Sequence, residues 1–196
     1  RINRMLVQPL VSKLLDNRTR DTVGNYLREK LRAGSDLSVA SAYFTIYAYQ
    51  VLADRLESLR GVRFLFGDPA FINILDVDRN GTPGFNIAKD QLQLATYLEQ
   101  SQIAKACAAW IRSKVEMRSV KKAGLLHGKM YHIHQGDYTR AVLGSSNFTV
   151  QGLGLSSHSN IELNMEVTDD RDRDDLKAWF DEVWNNKELV QDVTED

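Results

Sequence analysis

Residues 37–69 open with Leu37-Ser38-Val39-Ala40-Ser41-Ala42-Tyr43-Phe44 and close with Val62-Arg63-Phe64-Leu65-Phe66-Gly67-Asp68-Pro69. The first run is apolar and compact enough to predict a buried strand over residues 37–44, and the second predicts a strand over residues 62–66 that Gly67, Asp68 and Pro69 stop. Residues 47–59 between them read as a helix. A strand, a helix and a second strand in this order place the two strands parallel in one sheet. Folds built on that unit hold their ligands beyond the carboxyl ends of the strands, so function is expected at that edge.

Working outward, Val23, Tyr26, Leu27 and Leu31 recur at helical spacing, with Thr19 as the expected N-cap and Gly34 as the stop. A loop is expected over residues 68–84. Asp76, Asp78, Asn80 and Gly81 in it imitate the opening of a calcium-binding loop, but Ile87 stands where the bidentate glutamate belongs and Pro83 interrupts it, so no calcium site is expected. A long helix follows over residues 89–114. Strands are expected over residues 115–120, 127–133, 140–143 and 160–167, and a closing helix runs from Asp174 through Trp184.

The 196 residues are one domain's worth, and 43% hydrophobic and 26% charged residues describe a globular chain. The longest uncharged run, residues 37–53, carries Ser38, Ser41, Thr45, Gln50 and three tyrosines, so no membrane span is expected. The single Cys107 excludes an internal disulfide and a cysteine zinc site, and points to a reducing, cytoplasmic compartment. The chain starts at Arg1 and reads as an excised piece of a longer protein.

The net charge of −1 cannot hold a polyanion by bulk attraction, but the charge is segregated. Residues 101–140 carry eight basic side chains against two acidic ones, a net +6, and residues 159–196 carry thirteen acidic against four basic, a net −9. The basic stretch is the expected nucleic-acid surface, with Arg118, Lys121, Lys122 and Arg140 as its binding set. The acidic run of residues 169–175 reads as a solvated face.

The chemistry lies inside the basic stretch. On a strand, the period of two puts His127 and Lys129 on one face, and the same holds for Ser145 and Asn147. Gly136 and Asp137 read as a hairpin turn that returns Gly144-Ser145-Ser146-Asn147 beside His127-Gly128-Lys129. An imidazole, a fixed cation and two neutral hydrogen-bonding groups suit a phosphodiester, and this inventory requires no metal. His132 and His134 alternate to the opposite face, against a three-histidine metal site. Ser145 lacks the glycine-flanked elbow of a serine hydrolase.

His127-x-Lys129, the following Asp137 and Gly144-Ser145-x-Asn147 resemble the signature of the phospholipase D superfamily. The likeness is strongest to the phospholipase-D-like domains at the amino-terminal end of bacterial Swi/Snf-type helicases, and more distant to nucleases and restriction enzymes of the superfamily. It implies an α/β fold: a mixed, largely parallel sheet flanked by helices on both faces, in a single domain over residues 1–196 beside a helicase in the same polypeptide. It also implies hydrolysis without cofactor or metal, in which His127 attacks phosphorus to form a phosphohistidine and a second histidine protonates the leaving oxygen. Lys129, Ser145 and Asn147 would bind the non-bridging oxygens, and Glu162, or else Glu166, would orient His127. Counted on from Lys129, the family's aspartate would fall at His134, whereas counted back from Gly144 it falls at Asp137, which implies a three-residue insertion in the hairpin. One motif where the family's site uses two implies a homodimer that pairs His127 of each subunit. The expected activity is that of a nuclease on nucleic acid, DNA first. Its rivals are a non-catalytic DNA-binding module and, further off, a phospholipase.

Overall fold

The structure is a computed structural model that describes residues 14–67, 87–122 and 125–194, with the backbone alone described for residues 87–98. The calcium-loop imitation lies outside the described residues. The described elements are β1 (Leu14–Leu15), α1 (Val23–Lys30), β2 (Asp36–Ser41), α2 (Ile46–Leu56), β3 (Gly61–Phe66), α3 (Ile87–Lys114), β4 (Val115–Val120), β5 (Lys129–Gln135), β6 (Tyr138–Gly144), β7 (Asn164–Val167), α4 (Asp170–Asn185) and β8 (Val190–Asp192).

The strands form one sheet in the order β1-β7-β6-β5-β2-β3-β4-β8. The sheet is mixed, as the sequence predicts, and β2, β3 and β4 are parallel neighbours. The parallel share is smaller than expected, because the five remaining junctions are antiparallel. Connection length accounts for one of them: β5 and β6 are joined by two residues, and a parallel pair needs a crossover of a dozen or more.

Thr45 sets the start of α2 by accepting the Ala48 amide at 3.3 Å. Thr22, not Thr19, caps α1, accepting from Asn25 N at 3.0 Å. Asp169 caps α4 by accepting from Arg171 and Asp172, so the acidic run forms the first turn of a helix that begins four residues before the sequence reading.

Helices cover both faces of the sheet. On one face, Tyr26 and Leu27 of α1, Leu52 and Leu56 of α2 and Trp110 of α3 pack on Val39, Phe64, Tyr131 and Val142. On the other face, Phe180 and Trp184 of α4 pack on Ala40, Leu65, Val120 and Met130. Each such side chain fully removed from water contributes about 1.5–3 kcal/mol, so both layers hold the sheet in place. Under the carboxyl ends of β2 and β3 lies an aromatic cluster. The rings of Phe44 and Phe148 stack at 5.5 Å, and the Phe64 ring meets both edge-on at 5.6 and 5.5 Å.

Candidate functional site

The β5–β6 hairpin has strict register, with Lys129 opposite Gly144 and Gln135 opposite Tyr138. Gly136 takes φ +56° at the first central position of the turn, and Asp137 stays out of the left-handed region, the pattern of a II′ turn. The open end of the hairpin therefore joins the His127-Gly128-Lys129 segment to Gly144-Ser145-Ser146-Asn147. Because β5 runs antiparallel to β2, with Met130 opposite Ala40, this end coincides with the carboxyl ends of β2 and β3. The edge expected from the strand order is the edge where the motif residues sit.

Each residue is fixed differently. Asn147 Oδ1 accepts from Ala42 N at 3.0 Å and from Ser41 Oγ at 3.2 Å, which leaves its Nδ2 turned away from β2 as a donor. The Ser41 hydroxyl also accepts from Phe148 N at 2.9 Å. Ser145 Oγ donates to Glu162 Oε2 and accepts from Leu163 N at 2.9 Å. The other oxygen of Glu162 accepts from Asn160 Nδ2 at 3.2 Å. Lys129 Nζ donates to the carbonyl of His127 at 2.7 Å, so cation and imidazole share one short segment. His127 itself is exposed, and none of the described residues hydrogen-bonds its ring. Gly67, at the end of β3, faces the Leu126 carbonyl so closely that a Cβ there would collide with it, and the chain just before His127 can approach β3 only past a glycine.

Beneath this surface Tyr131 Oη donates to the Ser146 carbonyl at 2.8 Å. Burial, and next the charge of Glu162, push the Tyr131 hydroxyl far above its ordinary value, so it stays a proton donor. Glu162, not Glu166, stands at this end of the sheet. Glu166 faces Val142 on β6, and burial, and next the Glu166 charge, raise the pKa of the Tyr26 hydroxyl, which donates to the Ala141 carbonyl at 3.5 Å. The bond expected between Glu162 and His127 is replaced by the Ser145 bond.

Asp137 is not brought to the site. It occupies the turn at the far end of the hairpin, where it lines a cavity of about 680 Å³ with His132, His134 and Lys177. The expected nucleic-acid set is dispersed as well. Arg118 donates to the Trp184 carbonyl and lies over the Trp184 ring at 4.6 Å. Lys121 Nζ donates to the Lys187 carbonyl at 2.6 Å, and Arg140 lies over the Tyr138 ring at 4.6 Å while donating to the Thr139 carbonyl at 2.7 Å. Lys122 is exposed. Among the described residues, no group of three or more histidine, cysteine or acidic side chains is arranged to hold a metal ion, and no helix is long and apolar enough to cross a membrane.

Sequence reasoning passed over Ser41, Tyr131, Asn160 and Asn164, all of which shape the turn after β6. The available signal was Asn164, a poor strand former inside the strand expected over residues 160–167.

The sequence matches the family model described as "Cardiolipin synthase, PLD-like domain" over residues 28–184. The chain belongs to the PLD-like domain family. As a PLD-like domain it is tied to phosphodiester-related chemistry, with the matched span containing all of the motif residues above. No curated protein matches the sequence significantly. Among solved structures, the PLD-like domain is similar to the crystal structure of polyphosphate kinase from Porphyromonas gingivalis, with a TM-score of 0.51 and 11% identity over 87% of this chain. It spans 21% of the length of that enzyme, and the likeness is one of fold. A second similar structure is TrmBL2, an archaeal chromatin protein described as showing a novel mode of DNA binding, with a TM-score of 0.39 and 11% identity over 98% of this chain and 57% of that one.

Proposed function

We propose that this PLD-like domain is a phosphodiesterase acting on nucleic acid, DNA foremost, and that it works as one half of a homodimeric site. The observation that carries the reading is the pairing of Lys129 with Gly144, which gathers His127, Lys129, Ser145, Asn147 and Glu162 at one end of the sheet. Membership of the PLD-like family supports the phosphodiester, and exposed Lys122 beside Lys121, five residues before His127, supports a polyanion over a lipid.

In this reading a ring nitrogen of His127 attacks phosphorus, forming a P–N bond as the P–O bond to the leaving group breaks. The leaving oxygen takes a proton from the partner's His127, which then accepts one from water as that water displaces the enzyme nitrogen. The Lys129 ammonium and Asn147 Nδ2 hold the non-bridging oxygens. Glu162 holds the Ser145 hydroxyl in place. The reaction needs no metal and no cofactor.

One observation favours a second reading. The ring of His127 has no orienting carboxylate within the described residues, because Glu162 is engaged by Ser145 and Asn160. A module that holds a DNA backbone for a helicase in the same polypeptide, without cutting it, needs no such orientation.

The test is cleavage of labelled single- and double-stranded DNA in excess EDTA, comparing wild type with His127→Ala, at a concentration where light scattering reports the oligomer. Cutting by the dimer that His127→Ala abolishes supports the nuclease. DNA binding without cutting by a confirmed dimer supports the module, and undiminished cutting by His127→Ala removes the site from the reaction.

A further inference from the structure

We infer that Asn164 is the positioning residue of the candidate site, the side chain that gives the Ser145–Asn147 turn its shape and decides which of its groups can meet a phosphate; the consequence for turnover rests on the phosphodiesterase reading. Asn164 heads β7 and is 2% exposed. Its Oδ1 accepts from the backbone amides of both Ser145, at 3.1 Å, and Ser146, at 3.0 Å. Its Nδ2 donates to Ser146 Oγ at 2.9 Å and to the Leu15 carbonyl at 3.2 Å. Both acceptor positions and both donor positions of the amide are filled, which is the full capacity of the side chain.

The glycine of the motif is explained by the same contact. Gly144 lies opposite Asn164 in the β6–β7 ladder, and a Cβ at Gly144 would collide with Asn164 Oδ1 and with the Leu163 carbonyl. The glycine is required because the Asn164 amide and the backbone of Leu163 and Asn164 lie across it, so residues 144 and 164 pack as one unit.

This unit has a chemical consequence. Successive amides at a sharp turn commonly serve as an anion hole, but that of Ser146 is consumed by Asn164 and that of Ser145 is shared between Asn164 and the Leu163 carbonyl, at 3.2 Å. Charge developing on phosphate oxygens therefore falls to side chains. The Ser145 hydroxyl is directed to Glu162, the Asn147 amide is held against Ala42, and the carbonyl between them is held by Tyr131. Aspartate at 164 would keep the oxygen that accepts the two amides and set a second oxygen against the Leu15 carbonyl, so asparagine alone serves both sides.

The test compares wild type with Asn164→Ala and Asn164→Asp, with Leu52→Ala on α2 as a destabilised core control, all assayed well below their melting temperatures. Hydrogen exchange at the Ser146 amide, whose acceptor is Asn164, should quicken at least tenfold in Asn164→Ala, and less in Asn164→Asp, while the Ser145 amide keeps the Leu163 carbonyl and should change less. On a DNA phosphodiester, kcat should fall about 100-fold in Asn164→Ala with KM changed far less, the size that misplacing a reacting group by about 1 Å produces. The Leu52→Ala control should keep its kcat. Unchanged exchange at the Ser146 amide, or a kcat loss no larger than that of the control, would overturn the role. If wild type cleaves nothing, the functional reading fails by itself. The positioning role is then judged by the Ser145 amide shift on titration with inorganic phosphate: a shift in wild type that Asn164→Ala loses upholds it, and equal titrations overturn it.

Discussion

Asn147 Oδ1 accepts the Ala42 amide proton at 3.0 Å, so the turn after β6 is fastened to the end of β2 by the same side chain whose Nδ2 has no hydrogen-bond partner among the described residues. The two ends can be separated by substitution. Asn147→Asp keeps the acceptor and removes the donor, so its melting temperature should stay near wild type while phosphodiester binding and cleavage fall at least tenfold. Asn147→Ala leaves the Ala42 amide without that acceptor, while the Ser41 hydroxyl keeps the Tyr43 carbonyl at 2.7 Å, and the unpaired amide costs about 1–3 kcal/mol, or several degrees of melting temperature. Thermal unfolding beside a cleavage assay checks the pair, and a melting temperature that drops equally in both variants would show that the acceptor does not fasten the turn.

The two glycines of the motif should behave oppositely. A Cβ at Gly128 meets none of the described residues within 4 Å, whereas a Cβ at Gly144 collides with Asn164 Oδ1 and the Leu163 carbonyl. Gly128→Ala should therefore leave stability within about 0.5 kcal/mol, as surface substitutions do. Gly144→Ala should cost more than about 2 kcal/mol, because backbone must move to make room. Urea midpoints of the two variants decide this, and equal midpoints would contradict the packing described at β7.

The sequence made the central unit legible because β2, α2 and β3 each carry their own local signals: apolar runs, helical spacing and a closing Gly67. The site's location followed from one fact of register, the two-residue turn at Gly136 and Asp137, and the structure bears that turn out. What was illegible depends on where side chains end. Charge counted along the chain does not show that Arg118 reaches the Trp184 carbonyl or that Lys114 Nζ donates to the carbonyls of Glu57 and Leu59, at 2.6 and 2.7 Å. The short β1 and β8 carry too few residues to show a period. Asn164 acquires its meaning only from strands paired across nineteen positions of sequence, with Ser145 as its partner.

Cys107 should be inert while the protein is folded. It is 1% exposed on α3, and burial pushes its thiol up to about 12. A thiol is nucleophilic as the thiolate, so a disulfide reagent at pH 8 should label it only after unfolding. Stoichiometric labelling of the native protein within minutes would contradict the packing of α3 on α2, where the Trp110 and Tyr49 rings stack at 5.1 Å.

His132 gives the fold a dependence on pH that is separate from the candidate site. It is 2% exposed beneath α4, and among the described residues neither ring nitrogen has a hydrogen-bond partner. Burial, and next the Lys177 ammonium, lower its pKa from 6.5 to about 4, with His134 adding to the effect and Asp174 opposing it. A folded value below the unfolded one means that the unfolded chain binds the proton more tightly. The stability this residue permits is therefore complete above about pH 6.5 and is lost as pH falls toward 4, by up to about 3 kcal/mol. Asp16, Asp181 and Asp192, held below their ordinary 3.8 by their hydrogen-bond partners, lose their own contributions only at lower pH. Between pH 7 and 4.5 the urea midpoint of wild type should fall steeply, and that of His132→Leu should fall much less, since leucine fills the same space without a proton to bind. Parallel slopes for the two proteins would assign the acid sensitivity to other groups and leave His132 without a part in it.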